Sequence, residues 1–135
     1  QEDLRVAAAV CLSTPTSLAD LSAARRLEHD PARLFLGVDP AEDPGRASAA
    51  SPIDHVTIGT PATFLIHGDD DAWVPVRQAR EMHEKLEGAG VPSRLVVIPN
   101  ARHGFELKLG PPDSRDLTPV VREFLDSAWV AKGPG

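Results

Sequence analysis

The chain of 135 residues holds a single cysteine, Cys11, so it can form no intrachain disulfide. Cys11 sits inside an apolar run and reads as a small buried hydrophobe. No stretch of about 18 apolar residues occurs, which argues against a transmembrane helix. There is no stripe of Lys and Arg interleaved with aromatics, and the net charge of −6 argues against a nucleic-acid surface. That acidic balance speaks for solubility and little else. Neither an internal repeat nor a glycine-rich phosphate loop is evident. The chain begins with Gln1-Glu2-Asp3 rather than Met or a charged-then-apolar leader. We therefore expect the natural N-terminus to lie upstream, which leaves the compartment open, with the cytoplasm as the default.

What is present suits one modest domain, since 41% of the residues are apolar and a packed core is within reach. Residues 6–12, VAAAVCL, form a short continuous apolar run closed by Ser-Thr-Pro, as expected of a strand buried on both faces. Residues 15–61 differ in character. They hold many of the prolines, and DPAEDPGRASAASP reads as an irregular excursion. Within it, residues 17–27 predict a helix with Leu18, Leu21 and Leu27 on one face, and residues 32–36 a further short turn. A connection of this size usually covers something, and partial cover of a functional site is the expectation here.

Residues 61–67 read as a second strand and residues 94–98 as a third. Between them, Val76, Ala79, Met82 and Leu86 recur at helical spacing, with Gly88 and Gly90 as the stop. A final helix is expected with Thr118 as its cap, Pro119 at its first position, and an apolar stripe of Val120, Val121, Phe124, Leu125 and Ala128. Apolar strands alternating with amphipathic helices define an α/β fold with a parallel sheet. In such sheets, chemistry collects in loops at the C-terminal ends of the strands.

Two stretches lie at such ends. FLIHGDDDAWVP, residues 64–75, places Asp69, Asp70 and Asp71 where a buried strand stops, and VVIPNARHGF, residues 96–105, carries His103 after the next strand. A histidine acting as general base needs a carboxylate to fix its tautomer and stabilise the imidazolium that forms. Thirty-two residues separate Asp71 from His103, about one strand–helix–strand repeat, so both loops fall on the same side of the sheet. On position alone, any of the three aspartates could serve.

Taken together, His67-Gly68-Asp69-Asp70-Asp71 with Val74-Pro75, and Ala101-Arg102-His103-Gly104-Phe105, resemble the α/β-hydrolase superfamily in its esterase/lipase and prolyl-oligopeptidase-like branches. The segments LEGAGVP, ASPIDHV and VVREFLDSAW resemble the same branch, so the likeness covers nearly the whole chain. The resemblance implies that Asp71 is the acid and His103 the base of a Ser-Asp-His triad. It implies a serine hydrolase cleaving an ester bond through an acyl-enzyme, with no cofactor and with a small-molecule ester or peptide as substrate. A prolyl-oligopeptidase-like peptidase is the alternative chemistry. The family's nucleophile occupies G-x-S-x-G. That pattern is missing, since Ser13, Ser48, Ser51 and Ser93 lack glycine two residues away on both sides. In this family the serine precedes the acid and the histidine in chain order. The expectation is therefore that this chain is the C-terminal portion of one α/β-hydrolase domain, about three strands with flanking helices, and that the first strands and the serine lie upstream. Its first strand would then pair with a copy of the chain or with the missing N-terminal part.

Plainer readings stand beside these. Asp71 can cap the helix that follows, Asp69 can steady a turn, and Asp70 can be a solvated charge. Three clustered carboxylates can also hold a metal, as in a phosphoryl-handling α/β domain. His29, His55 and His83 read as structural or exposed. Trp73 can line a pocket or pack against the sheet edge. A hydrolase-like module that binds without catalysis is the rival that the missing nucleophile keeps alive.

Overall fold

The computed structural model describes residues 6–23, 31–110 and 115–132. Three strands, β1 (Ala8–Leu12), β2 (Ala62–Gly68) and β3 (Ser93–Ile98), form a parallel sheet in the order β1-β2-β3. The register pairs Ala8 with Ala62 and Leu12 with Ile66, then Thr63 with Ser93 and Gly68 with Ile98. β2 is central and almost wholly buried, as its continuous apolar run requires.

Alternation along β2 divides the core. Phe64 and Ile66 pack with Ile98, Leu117 and Val121 under helix α5 (Thr118–Lys132), and the Phe64 and Phe124 rings lie 5.3 Å apart. Leu65 faces the other way and packs with Met82, Leu86 and Val91 under helix α4 (Val76–Gly88). α4 stops at a Schellman motif. Gly90 takes φ +73°, its N–H donates to Glu87 O at 2.9 Å, and the Val91 N–H donates to Leu86 O at 2.9 Å. Gly88 is still helical, so the stop belongs to Gly90 alone.

The described part of residues 15–61 holds more regular structure than its composition suggests. It contains α1 (Leu18–Ala23), α2 (Pro31–Leu36), α3 (Pro44–Ala49) and a 3-10 turn at Pro52–His55. The stretch read as irregular holds α3 because Asp43 accepts the Arg46 N–H at 2.9 Å while proline occupies the first helical turn. Leu18, Leu21, Ala32, Leu36 and Ala47 form a separate small core that closes on Val74. Leu27, expected on the α1 face, and His29 lie outside the described residues.

Gln78 anchors this unit, an interaction absent from the apolar stripe. It is fully buried on α4, and its Oε1 accepts the N–H groups of Thr16 and Ser17 at 2.8 and 3.1 Å. Its Nε2 donates to Ser17 O at 3.0 Å. Ser51 completes the entry to α1 by accepting the Leu18 N–H and donating to Ala47 O. The Ser17 and Leu18 N–H groups at the start of α1 are thus satisfied from distant parts of the chain.

Several local expectations are corrected. Thr118 is the first residue of α5 rather than its cap, and Asp116 Oδ1 accepts the Thr118 N–H at 2.9 Å. Leu125 is exposed, so the α5 stripe is narrower than its spacing suggests. Cys11 is only half-buried, and burial pushes its thiol pKa up. β1 is likewise half-buried rather than covered on both faces, because it is the end strand of the sheet.

Among the described residues, the outer edge of β1 has no partner strand, and Val6, Ile58, Trp129 and Val130 are exposed. An open edge and exposed apolar side chains each invite another chain. This chain is therefore expected to self-associate with rising concentration in sedimentation velocity. A monomer at every concentration, with slow amide exchange throughout Ala8–Leu12, would contradict that.

Candidate active site

The ends of β2 and β3 run on side by side as two loops, zipped by backbone bonds from Asp69 N to Ile98 O and from Asp70 N to Ala101 O, both 3.1 Å. Close approach depends on Gly68. A Cβ built there would stand 2.1 Å from the Ala101 carbonyl oxygen, a distance no side chain tolerates. Asn100 turns the second loop at φ +58°, and its N–H donates to Asp69 Oδ1. Asp69 therefore clips one loop to the other. Asp70 points outward, 3.6 Å from the exposed Arg102.

Asp71 is the aspartate that turns inward, with its side chain fully buried. Oδ1 accepts the N–H groups of Trp73 and Val74, each at 2.8 Å, in a local turn. Oδ2 accepts from His103 Nδ1 at 2.9 Å. The same oxygen lies 3.3 Å from Nε2 of the buried His67, which also donates to Val74 O at 2.8 Å. Three carboxylates adjacent in sequence thus face three different ways. Among the described residues, no group of three His, Cys, Asp or Glu side chains is arranged to hold a metal.

Because the His103 proton on Nδ1 is given to Asp71, a neutral His103 presents Nε2 as an acceptor. Its side chain is 40% exposed and lines a cavity of about 250 Å³ with Leu12, Ser13, Leu21, Trp73 and Val74. Trp73 is exposed, its ring 6.3 Å from the imidazole, so it borders the cavity rather than packing inside the core. Gly104, after the histidine, takes φ +85°, where glycine is favoured. His83 Nδ1 lies 2.8 Å from Ser93 Oγ, tying α4 to the start of β3, and the exposed His55 bonds Ala49 O. The role of His67 is legible only in three dimensions. Its sequence signal was an inward-facing position at the end of β2, next to the acid loop.

Burial pushes the Asp71 carboxyl up. The Val74 N–H, the His103 hydrogen bond, the Trp73 N–H and the His103 charge together outweigh it and hold the pKa below the usual carboxylate range. A carboxyl whose native pKa is depressed adds stability above its unfolded value of about 3.9, and that stability is lost as pH falls through the native pKa. As pH falls below about 4, the wild-type chain should therefore lose stability more steeply than Asp71→Asn. Urea midpoints across that range measure this, and parallel acid limbs would contradict it.

A parallel sheet carrying an aspartate and a hydrogen-bonded histidine on adjacent strand-end loops defines the chain as part of an α/β-hydrolase. Within that superfamily it belongs to the BD-FAE family, whose model matches residues 1–86. Esterase LipQ of Mycobacterium tuberculosis is 36% identical over 85 residues, covering 62% of this chain and 20% of that protein. The probable carboxylic ester hydrolase LipM of the same organism is 31% identical over 87 residues, covering 64% and 20%. The chain thus spans about a fifth of the length of these curated relatives. Among solved structures, an acetyl ester-xyloside bifunctional hydrolase from Caldicellulosiruptor lactoaceticus superposes with a TM-score of 0.76 at 28% identity. That match covers 91% of this chain and 43% of the other. A thermophilic esterase from Thermogutta terrifontis superposes at 0.63 and 26% identity, covering 96% and 43%. Among the described residues, no helix is long and apolar enough to cross a membrane.

Proposed function

We propose that this chain supplies the acid and the base of a serine hydrolase acting on carboxylic esters. The observation that carries the reading is the 2.9 Å bond from His103 Nδ1 to a fully buried Asp71, with the far side of the imidazole on a cavity. Relatives named as esterases favour an ester over a peptide. In the proposed reaction, a serine upstream of Gln1 attacks the ester carbonyl and passes its proton to His103 Nε2. The carbonyl–oxygen bond to the alcohol then breaks, and the same proton leaves on that alcohol. Water, deprotonated in turn by His103, attacks the acyl-serine; the acyl bond to the serine oxygen breaks, that oxygen takes the proton back from His103, and the acid is released. Asp71 holds the tautomer and stabilises the imidazolium in both steps. Leu21 and Pro31, from residues 15–61, line the same cavity, which supports a covering role for that segment.

A fluorophosphonate that labels activated serines tests the proposal on the longer protein. One serine upstream of this chain should be modified, and His103→Ala should slow labelling by about 10³-fold or more. Labelling that is indifferent to His103 would leave a non-catalytic module as the better reading. The present chain by itself should hydrolyse activated esters no faster than its His103→Ala variant. A burst of acyl-enzyme from it would reveal a nucleophile within these residues.

A further inference from the structure

We infer that His67 is a positioning residue for the acid: its N–H, hydrogen-bonded to the Val74 carbonyl, also stands beside the carboxylate oxygen that orients His103. The inference rests on the proposed triad and adds a residue to it. His67 Nε2 lies 2.8 Å from Val74 O and 3.3 Å from Asp71 Oδ2. A carbonyl oxygen only accepts, so Nε2 carries the proton and the tautomer of His67 is fixed. The ring is 1% exposed, and the carboxylate is wholly shielded from water. In such surroundings, an N–H dipole 3.3 Å from the carboxylate acts with more force than at the surface, although the hydrogen bond itself goes to Val74 O.

The arrangement also holds orientation. Two backbone N–H groups grip Oδ1, which fixes that end of the carboxylate but still permits rotation that would swing Oδ2 away from His103. His67 approaches Oδ2 from the rigid central strand, whereas His103 approaches it from a loop. By bonding Val74 O as well, His67 ties the segment that supplies one Oδ1 donor to the strand that steadies Oδ2.

The test uses the complete hydrolase and two neutral, polar variants. The amide nitrogen of His67→Gln reaches the place of Nε2, and that of His67→Asn reaches only the place of Nδ1. His67→Asn should lower kcat by about tenfold or more with KM within twofold, while His67→Gln recovers most of it. On an Asp71→Asn background, the His67→Asn change should cost little more, because no carboxylate remains to be held. Equal kcat for the Gln and Asn variants, or an Asn penalty undiminished on the Asp71→Asn background, would overturn the inference and leave His67 a structural tie to Val74. Asp71→Asn itself separates the two claims: if it leaves kcat intact, the triad reading falls first.

Discussion

Replacing Asp71 with asparagine in the complete protein is expected to lower kcat by about 10⁴-fold with little change in KM. Size and shape are nearly preserved, so the effect follows from hydrogen-bond polarity. Asparagine must keep its carbonyl oxygen at the Oδ1 position, since the Trp73 and Val74 N–H groups converge there. Its amide NH₂ then replaces Oδ2 and faces His103 Nδ1, which must turn acceptor. His103 would carry its proton on Nε2, the nitrogen that has to receive the serine proton. The NH₂ would also stand beside His67 Nε2, which donates to Val74 O and offers it no acceptor. Steady-state hydrolysis of an activated acetate ester measures the loss. A kcat within tenfold of wild type would remove Asp71 from the triad.

Among the described glycines, Gly68→Ala is expected to be the most damaging substitution. The new Cβ would lie 2.1 Å from the Ala101 carbonyl oxygen and 2.7 Å from its carbon. Both are backbone atoms, so no side-chain rotation relieves the clash and the histidine loop must move. Misplacement of a catalytic group by about 1 Å costs about 10²-fold in rate, and the overpacking itself about 1–3 kcal/mol of stability. Hydrolysis and urea unfolding of Gly68→Ala should show both losses. Ala101→Gly should rescue neither, because the obstacle is the carbonyl rather than the Ala101 side chain. Wild-type kcat in Gly68→Ala would mean that the two loops are not held in the register described.

Local pattern was enough for the elements of the sheet. The apolar runs became β1, β2 and β3, and the spacing of Ala79, Met82 and Leu86 became the buried face of α4, because burial imposes a period that survives in the sequence. Residues 39–52 were harder. Their prolines signal interruption equally well whether they sit in loops or in the first turn of a helix, and the Asp43 cap distinguishes the cases only once the backbone has turned.

At the candidate site, the sequence by itself determined which residue types stand at the strand ends: three aspartates after β2 and one histidine after β3. It also excluded a G-x-S-x-G nucleophile from these residues. Only the tertiary structure decided what each aspartate does. Asp69 clips the neighbouring loop, Asp70 faces solvent, and Asp71 turns inward to His103, a division set by backbone direction in a turn rather than by side-chain identity. The hydrogen bonds of His67, which the sequence placed only in the acid-loop motif, and of Gln78 were not legible there. Each is a polar residue at a buried position, and what satisfies it comes from chain segments that only folding brings near. Neither Val74 O, across the acid loop from His67, nor Thr16 and Ser17, far along the chain from Gln78, can be read from spacing, because a side-chain bond to a loop backbone leaves no period in the sequence.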